Sequence, residues 1–181
     1  MLTKEITYFL EMTDPSQFRP SQVPASGVEV KQVEIPCPEL NRFFYTAVGG
    51  DWYWVDRLPW TFDQWLQYLN HPGHETWVLY LSGTTAGYFE LQGESDVEIA
   101  SFGQLPQFIG RGLGGYLLTE AIRRGWQKGA SRVWVHTSSL DHPTAQANYR
   151  ARSFRLFKKE TSCKELPERP LGRWPDQRDQ G

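Results

Sequence analysis

Apolar and polar residues alternate with a period of two along several short segments, and this pattern is typical of β-strands that bury one face. The segment at residues 28–35 is one example, because its four apolar residues, Val28, Val30, Val33 and Ile35, are separated by polar ones. Clusters of proline, glycine, serine and asparagine separate most of these segments and indicate turns. The predicted strands are residues 5–12, 28–35, 97–105, 132–139, 154–160 and two more within 76–93, on either side of a turn at Ser82–Thr85.

A different spacing, with apolar residues three and four positions apart, predicts four helices. The first begins at Pro38, since proline suits the first helical residue, and Gly49 and Gly50 end it. The second begins at Thr61, which has the spacing of a capping box with Gln64. The third and fourth helices are expected at residues 113–128 and 143–152.

The order of these elements predicts the fold class. Consecutive strands in the middle of the chain favour antiparallel pairing, whereas the strand–helix–strand unit at residues 97–139 predicts one parallel crossover. We therefore expect an α/β (α+β) fold, with a mixed, largely antiparallel central sheet of about six to seven strands and helices on both faces. Residues 28–160 would form the domain, residues 1–27 an N-terminal extension with one strand and a loop, and residues 161–181 a flexible tail.

Composition narrows the class of protein. Of the 181 residues, 39% are hydrophobic and 14% aromatic, which argues against a wholly disordered chain. No apolar run is long enough for a membrane helix and no signal-peptide core is seen, so we expect a cytoplasmic protein without a membrane partner. Cys37 and Cys163 have no zinc-site or disulfide spacing. His71 and His74 lie in a turn without a third ligand, so no metal is expected.

Charge is distributed unevenly along the chain. Residues 1–106 contain 5 Lys/Arg against 14 Asp/Glu, whereas residues 107–160 contain 10 Lys/Arg against 3 Asp/Glu. The two blocks suggest two ligands of opposite sign, although ordinary solvated helix faces would explain them equally well. The net charge of −2 and the lack of a nucleic-acid motif argue against nucleic acid as a partner.

A glycine-rich loop at residues 107–115 carries the strongest chemical signal. It connects a predicted strand to a predicted helix, and its glycines allow the backbone to approach a ligand closely. The amide groups at a helix start have no partners inside the helix, so they can bind phosphate or diphosphate. Arg111 adds a positive charge to this loop.

Two nucleotide-binding motifs compete for the same loop. A P-loop is excluded, because Tyr116 and Leu117 stand where that motif needs Lys and Ser or Thr. The dinucleotide-binding pattern G-x-G-x-x-G is matched at Gly110, Gly112 and Gly115, and Asp141 could supply its acidic residue. However, the strands before the loop predict antiparallel pairing, and too few residues follow Asp141 for further alternating units. A glycine-rich connection without a ligand is the third interpretation.

The loop resembles that of the GNAT N-acetyltransferase superfamily, in which a Q/R-x-x-G-x-G/A segment opens a helix and binds the diphosphate of acetyl-CoA. Residues 109–114 are similar to it, although Ile109 replaces Gln or Arg. A second family segment, N-x-x-A-x-x-x-Y-x-x-x-G-F, is similar to residues 142–154. There His142 replaces Asn and Ser153 replaces Gly, and Ser153 could strain the end of the helix.

The resemblance implies a function for particular residues. It implies that Gln104 donates its backbone N–H to the thioester oxygen and that Tyr149 donates a proton to the leaving sulfur, although Tyr149 could instead be a packing aromatic. Glu98, or Glu90 as second candidate, would accept the proton of the amine, although both could be surface acids. The implied cofactor-binding residues are Phe102, Gly103, Gln104, Leu105, Ile109, Gly110, Arg111, Gly112, Leu113, Gly114, Gly115 and Asn148.

The acceptor side is expected around residues 52–77, which contain five of the eight tryptophans. Trp52 and Trp54 lie in a predicted loop and, with Glu90, are the candidates for acceptor binding. The acidic block beside them favours a cationic or amine acceptor. His136 lies near the predicted site, and a packed core histidine is the favoured interpretation.

The predicted function is an N-acetyltransferase that uses acetyl-CoA and acts by direct attack in a ternary complex. Its partners would be acetyl-CoA and the amine of a small molecule or peptide, and dimers, common in the family, suggest a homodimer. A non-catalytic acyl-CoA sensor of the same fold is the alternative, and a dinucleotide-dependent oxidoreductase is a third, weaker one.

Overall fold

Within the residues described by the computed structural model, 1–24, 26–172 and 174, seven strands form one sheet. The strands are β1 (Leu2–Met12), β2 (Val28–Gln32), β3 (Glu75–Leu81), β4 (Thr84–Gln92), β5 (Asp96–Gln104), β6 (Arg132–Ser138) and β7 (Arg155–Glu165). They follow the order β2-β3-β4-β5-β6-β1-β7, and every neighbouring pair is antiparallel except the parallel pair β5–β6. The predicted fold class is therefore confirmed.

Four helices cover the two faces of this sheet. They are α1 (Pro38–Gly49), α2 (Phe62–Leu69), α3 (Leu113–Gln127) and α4 (Ala145–Ala151). The ring of Phe44 in α1 stacks on Tyr88 with ring centroids 4.7 Å apart, whereas Leu117 in α3 approaches the neighbouring Gly87. Because successive residues of a strand point to opposite faces, α1 and α3 lie on opposite sides of the sheet.

The starts of α1 and α2 follow the local sequence. Pro38 is the first residue of α1, as its fixed backbone angle favours. At the start of α2, the Thr61 hydroxyl accepts the Gln64 backbone N–H at 3.3 Å, and the Gln64 side-chain oxygen accepts the Thr61 N–H at 2.8 Å. The predicted capping box is therefore present.

The N-terminal strand lies inside the sheet rather than beside it. β1 pairs with β6 through Thr7–Met12 and with β7 through Leu2–Glu11, and its Leu10 and Met12 are buried. We expected this strand to be an addition to the domain, but it links two strands of the same sheet. The segment predicted as an N-terminal extension, residues 1–27, therefore includes a strand that is integral to the sheet.

The last strand is longer than its sequence indicates. β7 continues to Glu165 because residues 161–165 pair with the first residues of β1, so the tail expected from residue 161 is wrong for this part. Residues 173 and 175–181 of the expected tail lie outside the described residues. The pairing partner, rather than the polar sequence of β7, extends this strand.

The parallel pair at the centre of the sheet separates along its length. β5 and β6 are paired only through Asp96–Ile99 and Arg132–Val135, and beyond these residues a gap opens between them. The β4–β5 register shifts so that Ala100 has no partner opposite, which is a β-bulge. Bulges bend the strand that contains them and increase its twist, so Ala100 favours this separation.

Among the described residues, no helix is both long and apolar enough to span a bilayer.

Candidate active site

A cavity of about 810 Å³ occupies the gap between β5 and β6. Its walls come from both strands, from β1, from the loop after α1, and from the segments at the starts of α3 and α4. This volume lies within the usual range of small-molecule and cofactor sites, about 300–1,000 Å³. The gap in the sheet is thus the candidate active site.

The glycine-rich loop forms one end of the cavity. Gly112 caps α3 with a φ of 74°, and Gly110 has a φ of 84°, both in the left-handed region that favours glycine. Within the described residues, no hydrogen-bond acceptor receives the backbone N–H groups of residues 110–115. These donors carry the positive end of the α3 dipole, so this end of the cavity suits an anion.

Nine of the twelve predicted cofactor-binding residues line this cavity. They are Phe102, Gly103, Gln104, Ile109, Gly110, Gly112, Gly114, Gly115 and Asn148. Two of these contact each other, because the Asn148 side-chain amide donates to the Gly114 carbonyl at 3.3 Å. A Cβ on Gly114 would lie 2.8 Å from the Gln104 Oε1, so a larger residue would not fit without displacing Gln104.

Three predicted cofactor-binding residues lie outside the cavity. Leu105 and Leu113 are buried in the core, and the Leu105 N–H is already bonded to the Ala86 carbonyl. The guanidinium of Arg111 lies over the Phe108 ring, 5.5 Å from its centroid, and does not line the cavity. These three residues were predicted because they lie within contiguous sequence motifs. In the folded chain, successive residues of a turn point in different directions, so not every residue of a motif can face the cavity.

A second cation lies beside the loop and was missed. Arg152, which follows α4, has its Nη1 2.9 Å from where a Cβ on Gly115 would lie, and its buried Nε has no hydrogen-bond partner among the described residues. The Ser21 N–H donates to the Thr119 hydroxyl at 2.8 Å and so ties the loop after β1 to α3. No local pattern in the sequence places Arg152 near this loop, because the proximity depends on how α4 packs.

Tyr149 lies on the cavity wall between two other rings. Its centroid is 6.1 Å from those of Phe102 and Phe154, and the residue is 5% exposed. Its hydroxyl makes no hydrogen bond within the described residues. Burial, reinforced by the negative charge of Asp141, raises the pKa of Tyr149 far above its usual value, so the phenol stays protonated at neutral pH. Tyr149 is both a packing residue and an available proton donor.

Gln104 ends β5 at the edge of the gap. The N–H of the next residue, Leu105, donates to the Ala86 carbonyl of β4 at 2.9 Å. Since successive backbone N–H groups point to opposite edges of a strand, the Gln104 N–H points away from β4 and into the gap. The Gln104 side chain is held by a hydrogen bond from its Nε2 to the Phe108 carbonyl at 3.1 Å.

Glu98 and His136 meet across the mouth of the gap. Oε1 of Glu98 lies 2.8 Å from Nδ1 of His136, and both residues line the cavity. The His136 side chain is 46% exposed, so the interpretation of this residue as a packed core histidine is wrong. The hydrogen bond to Glu98 is the main cause that raises the pKa of His136 above its usual value.

Glu90 is not available to a ligand. It is fully buried and accepts hydrogen bonds from Asn41 at 2.7 Å, Arg57 at 2.9 Å and Tyr68 at 2.8 Å. Burial acts to raise the pKa of Glu90, but the Arg57 charge and these donors outweigh it, and the pKa lies below its usual value. Since Glu90 does not line the cavity, the structure gives no support to its predicted acceptor contact.

Arg57, the partner of Glu90, does line the cavity and was missed by the sequence analysis. Its guanidinium lies 4.2 to 5.9 Å from the centroids of four aromatic rings, those of Tyr45, Trp60, Trp65 and Tyr68. The buried ion pair and this aromatic cage fix the loop after α1 against the cavity.

Trp52 and Trp54 both line the cavity, as the loop position suggested. The Trp54 indole N–H donates to Oδ1 of Asp141 at 3.1 Å, and the Trp52 ring meets His142 with centroids 4.9 Å apart. Oδ2 of Asp141 accepts from the Thr137 hydroxyl and the Ser138 N–H. Both oxygens of Asp141 therefore have partners, which disfavours the ribose contact of a dinucleotide-binding fold.

Part of the cavity wall comes from β1 and β7, which carry none of the predicted site residues. Nζ of Lys164 on β7 lies 3.2 Å from a carboxylate oxygen of Glu5 on β1 and 3.4 Å from one of Asp56. All three residues line the cavity. Only the pairing of β1 with β7 brings these groups, far apart in sequence, to one place.

The described residues contain no cluster of three or more histidine, cysteine, aspartate or glutamate side chains that could hold a metal ion. His74, of the His71/His74 pair, contacts Thr76 and Gln92 instead.

Comparison with known families identifies the chain. The sequence model of the acetyltransferase (GNAT) family matches residues 36–154, which include the bulged strand, the glycine-rich loop and Tyr149. The chain belongs to the GNAT family. A comparison with curated proteins gives no match.

Solved structures share the GNAT fold at low sequence identity. A GCN5-related N-acetyltransferase from Sphaerobacter thermophilus is 19% identical with a TM-score of 0.64, and the match covers 91% of this chain and 52% of that one. A functionally unknown conserved protein from Staphylococcus epidermidis is 15% identical with a TM-score of 0.62, and the match covers 90% and 62%. The GNAT chain thus spans about half to two thirds of these proteins.

The match to a third solved structure covers a larger share of that protein and a smaller share of this chain. The ribosomal-protein-S18-alanine N-acetyltransferase from Escherichia coli is 16% identical with a TM-score of 0.55, and the match covers 71% of this chain and 77% of that one. At these identities the likeness shows the fold alone.

Proposed function

We propose that this GNAT chain is an N-acetyltransferase that uses acetyl-CoA and transfers an acetyl group to an amine by direct attack in a ternary complex. The observation that carries the proposal is the composition of one cavity. A helix start with unpartnered backbone N–H groups among the described residues lies at the cavity, and Tyr149, the Gln104 N–H and the Glu98–His136 pair lie along its walls.

The residues at the α3 end fit the diphosphate of acetyl-CoA. The unpartnered amides of residues 110–115 would receive its oxygens, and Arg152 would add the charge that Ile109 does not supply. The extended arm of acetyl-CoA that ends in the thioester would lie in the gap between β5 and β6, which Phe102 and Gln104 border. Bound acetyl-CoA supplies a thioester whose carbonyl carbon an amine can attack.

Two groups of this chain would act during transfer. The Gln104 N–H points into the gap and would stabilise the negative charge that develops on the carbonyl oxygen. The Tyr149 hydroxyl has no hydrogen-bond partner among the described residues and stays protonated, so it would donate its proton as the sulfur leaves. Both groups are held in place before the reaction, Gln104 by strand pairing and Tyr149 by Phe102 and Phe154.

The acceptor would bind at the other side of the gap. Trp52 and Trp54 present aromatic surface there, and Glu5, Asp56, Glu98 and Asp141 make the lining more acidic than basic. This combination favours a cationic amine, of a small molecule or a peptide. A cytoplasmic location and a homodimer remain predictions from the sequence.

Binding and turnover test the proposal separately. Calorimetry should show acetyl-CoA binding, and a free-thiol assay over a panel of polyamines, amino acids, peptides and aminoglycosides should identify an acceptor. A folded protein that does not bind acetyl-CoA contradicts the proposal, and NAD binding in its place would select an oxidoreductase. Acetyl-CoA binding with no thiol release from any amine would instead favour a sensor.

Tyr149→Phe tests the proton donor. Removing the hydroxyl while keeping the ring should lower kcat by about 10²–10⁴-fold, because general acid catalysis contributes this much. The affinity for acetyl-CoA should stay within about twofold of the wild-type value. The hydroxyl makes no hydrogen bond to the described residues, so its removal should not disturb the cavity wall. Tyr53→Phe is the matched control, because Tyr53 also lines the cavity but its hydroxyl points to the Glu168 carbonyl. An unchanged kcat in Tyr149→Phe would exclude the assigned role.

A further inference from the structure

The Glu98–His136 pair is held as a unit at the mouth of the gap. Glu98 lies opposite Trp134 in the last paired stretch of β5 and β6, and His136 follows two residues later on the same face. Their side chains meet at 2.8 Å just where the strands part. The pair therefore lies in the cavity at the point where β5 and β6 separate.

The hydrogen bond with Glu98 fixes which nitrogen of the imidazole is free. A carboxylate accepts, so in the neutral ring Nδ1 carries the proton and Nε2 carries the lone pair. Within the described residues Nε2 has no hydrogen-bond partner, and the half-exposed side chain lines the cavity. The rings of Phe9 and Trp134, with centroids 6.0 and 6.2 Å from that of His136, restrict its rotation.

We propose that His136 is the base that takes the proton from the acceptor's ammonium group, and that Glu98 positions it. The inference rests on the proposed function and corrects its sequence-based assignment of Glu98 as the base. The proton moves from the acceptor nitrogen to Nε2 and then to water, leaving the nitrogen with the lone pair that attacks the thioester. The substrate class is therefore an amine that reaches the site as an ammonium ion.

The charges around His136 set how its protonation responds to pH. Glu98 faces it from β5, Asp141 from the loop after β6, and Arg57 from the loop after α1. The hydrogen bond to Glu98 raises the pKa of His136, burial lowers it, the charges of Glu98 and Asp141 raise it, and Arg57 lowers it. Glu5 on β1 and Lys164 on β7 line the same cavity and pair with each other.

The direction of the resulting pH dependence follows from these charges. With a pKa above its usual value of 6.5, His136 is protonated in slightly acidic solution and cannot accept another proton. The value of kcat/KM should therefore rise with pH as His136 deprotonates and then level off. Neutralising Glu98 removes the main cause of the raised pKa, so it should move this rise to lower pH.

The kinetic test compares His136→Gln, Glu98→Gln and wild type in pH profiles of kcat/KM. His136→Gln should lose about 10²–10⁴-fold and the pH-dependent rise with it, and free imidazole should restore part of the activity to His136→Ala. Glu98→Gln should keep the rise but at lower pH, with a smaller loss than His136→Gln. His71→Gln, an exposed histidine outside the cavity, is the control and should match wild type.

A titration that needs no acceptor provides the second measurement. The chain has four histidines, whose ring C–H groups give separate NMR signals. Spectra of variants that each lack one histidine assign the His136 signal. We expect this signal to titrate above pH 6.5 and to shift to lower pH in Glu98→Gln. A His136 signal with an ordinary pKa that Glu98→Gln does not change would overturn the positioning role.

Failure of this inference differs from failure of the proposed function. If wild type and His136→Gln transfer acetyl groups at equal rates with the same pH profile, the transferase stands and His136 is not the base. If acetyl-CoA does not bind, the proposed function itself fails and the inference fails with it. If wild type and His136→Gln bind acetyl-CoA equally well, a lower transfer rate in the variant is not caused by loss of the fold.

Discussion

Ser153 follows α4 with a φ of 79°, a conformation that costs most residues about 1–2 kcal/mol and glycine almost nothing. The family pattern has glycine at this position, and the sequence alone indicated the strain. Ser153→Gly should therefore raise the free energy of unfolding by about 0.5–1 kcal/mol, the strain relief being partly offset by the flexibility of glycine in the unfolded chain. Urea denaturation measures the difference.

Gly129 offers the matched control for this substitution. Its φ is 82°, and a Cβ there would meet no atom within 4 Å, so a side chain would add backbone strain without a clash. Gly129→Ser should lower the free energy of unfolding by about 1 kcal/mol. If Ser153→Gly leaves stability unchanged or lowers it, backbone strain at Ser153 is not significant.

The Glu90–Arg57 ion pair should make a large contribution to stability. Glu90→Gln leaves a buried guanidinium without its counter-charge, so the free energy of unfolding should fall by about 3–5 kcal/mol. Glu29→Gln is the control, because the pair between Glu29 and Lys31 is exposed and screened by solvent, so its loss should change stability much less. Equal effects in the two variants would contradict the importance of burial.

The same pair gives the stability a pH dependence of defined sign. The pKa of Glu90 is lower in the folded protein than its ordinary value of 4.5, so its contribution is fully present above that value. The contribution is lost as the pH falls through the folded-state pKa. Glu90→Gln should therefore flatten the acid side of the stability curve, measured by urea denaturation between pH 3 and 6.

The sequence identified residues whose chemistry is local and misplaced those whose environment is not. Tyr149 and the glycines of the loop have a fixed spacing, and the structure puts them on the cavity wall. Glu90 was predicted to contact the acceptor, since no local pattern indicated that its carboxylate would be fully buried. Asn41 and Tyr68, which bury it, lie on two helices distant from it in sequence.

At the scale of elements, the start of α3 forms the proposed diphosphate site. Gly114→Ala should raise the stability of the helix by up to about 1 kcal/mol, because alanine favours helices more than glycine does. The added Cβ would lie 2.8 Å from Oε1 of Gln104, so it would displace that side chain and narrow the proposed diphosphate site. Acetyl-CoA should therefore bind at least about tenfold more weakly. Calorimetry and thermal melting measure the two effects separately.

Gly125→Ala provides the control within the same helix. Gly125 lies near the other end of α3, where a Cβ would contact Val133 rather than the loop, so acetyl-CoA affinity should not change. An unaltered affinity in Gly114→Ala would show that the first turn of α3 is not the diphosphate site.

The elements themselves were predictable to the extent that they depend on local patterns. The capping box of α2 and the parallel crossover between β5 and β6 were both predicted and are both present. By contrast, no pattern in the sequence predicted the bulge at Ala100 or the gap between β5 and β6. A single unpaired residue leaves little trace in an alternating sequence, since its effect depends on the strand beside it.

At the scale of the whole molecule, β1 joins β6 to β7 and brings Glu5 into the lining of the cavity. The sequence predicted a strand at residues 5–12, but not which strands it pairs with. Pairing between the two ends of the chain has no local signature, and so the sequence analysis placed this strand outside the domain.

Leu10→Ala tests whether β1 is integral to the fold. Leu10 is fully buried in the core that the rest of the sheet shares, so its truncation should lower the free energy of unfolding by about 2–5 kcal/mol. Because β1 is paired on both edges, we expect one cooperative transition, with tryptophan fluorescence and circular dichroism changing together in urea. Leu2→Ala, at an exposed position of the same strand, should change stability by less than about 0.5 kcal/mol. If β1 were an addition, Leu10→Ala would produce a separate early transition and leave the main one in place.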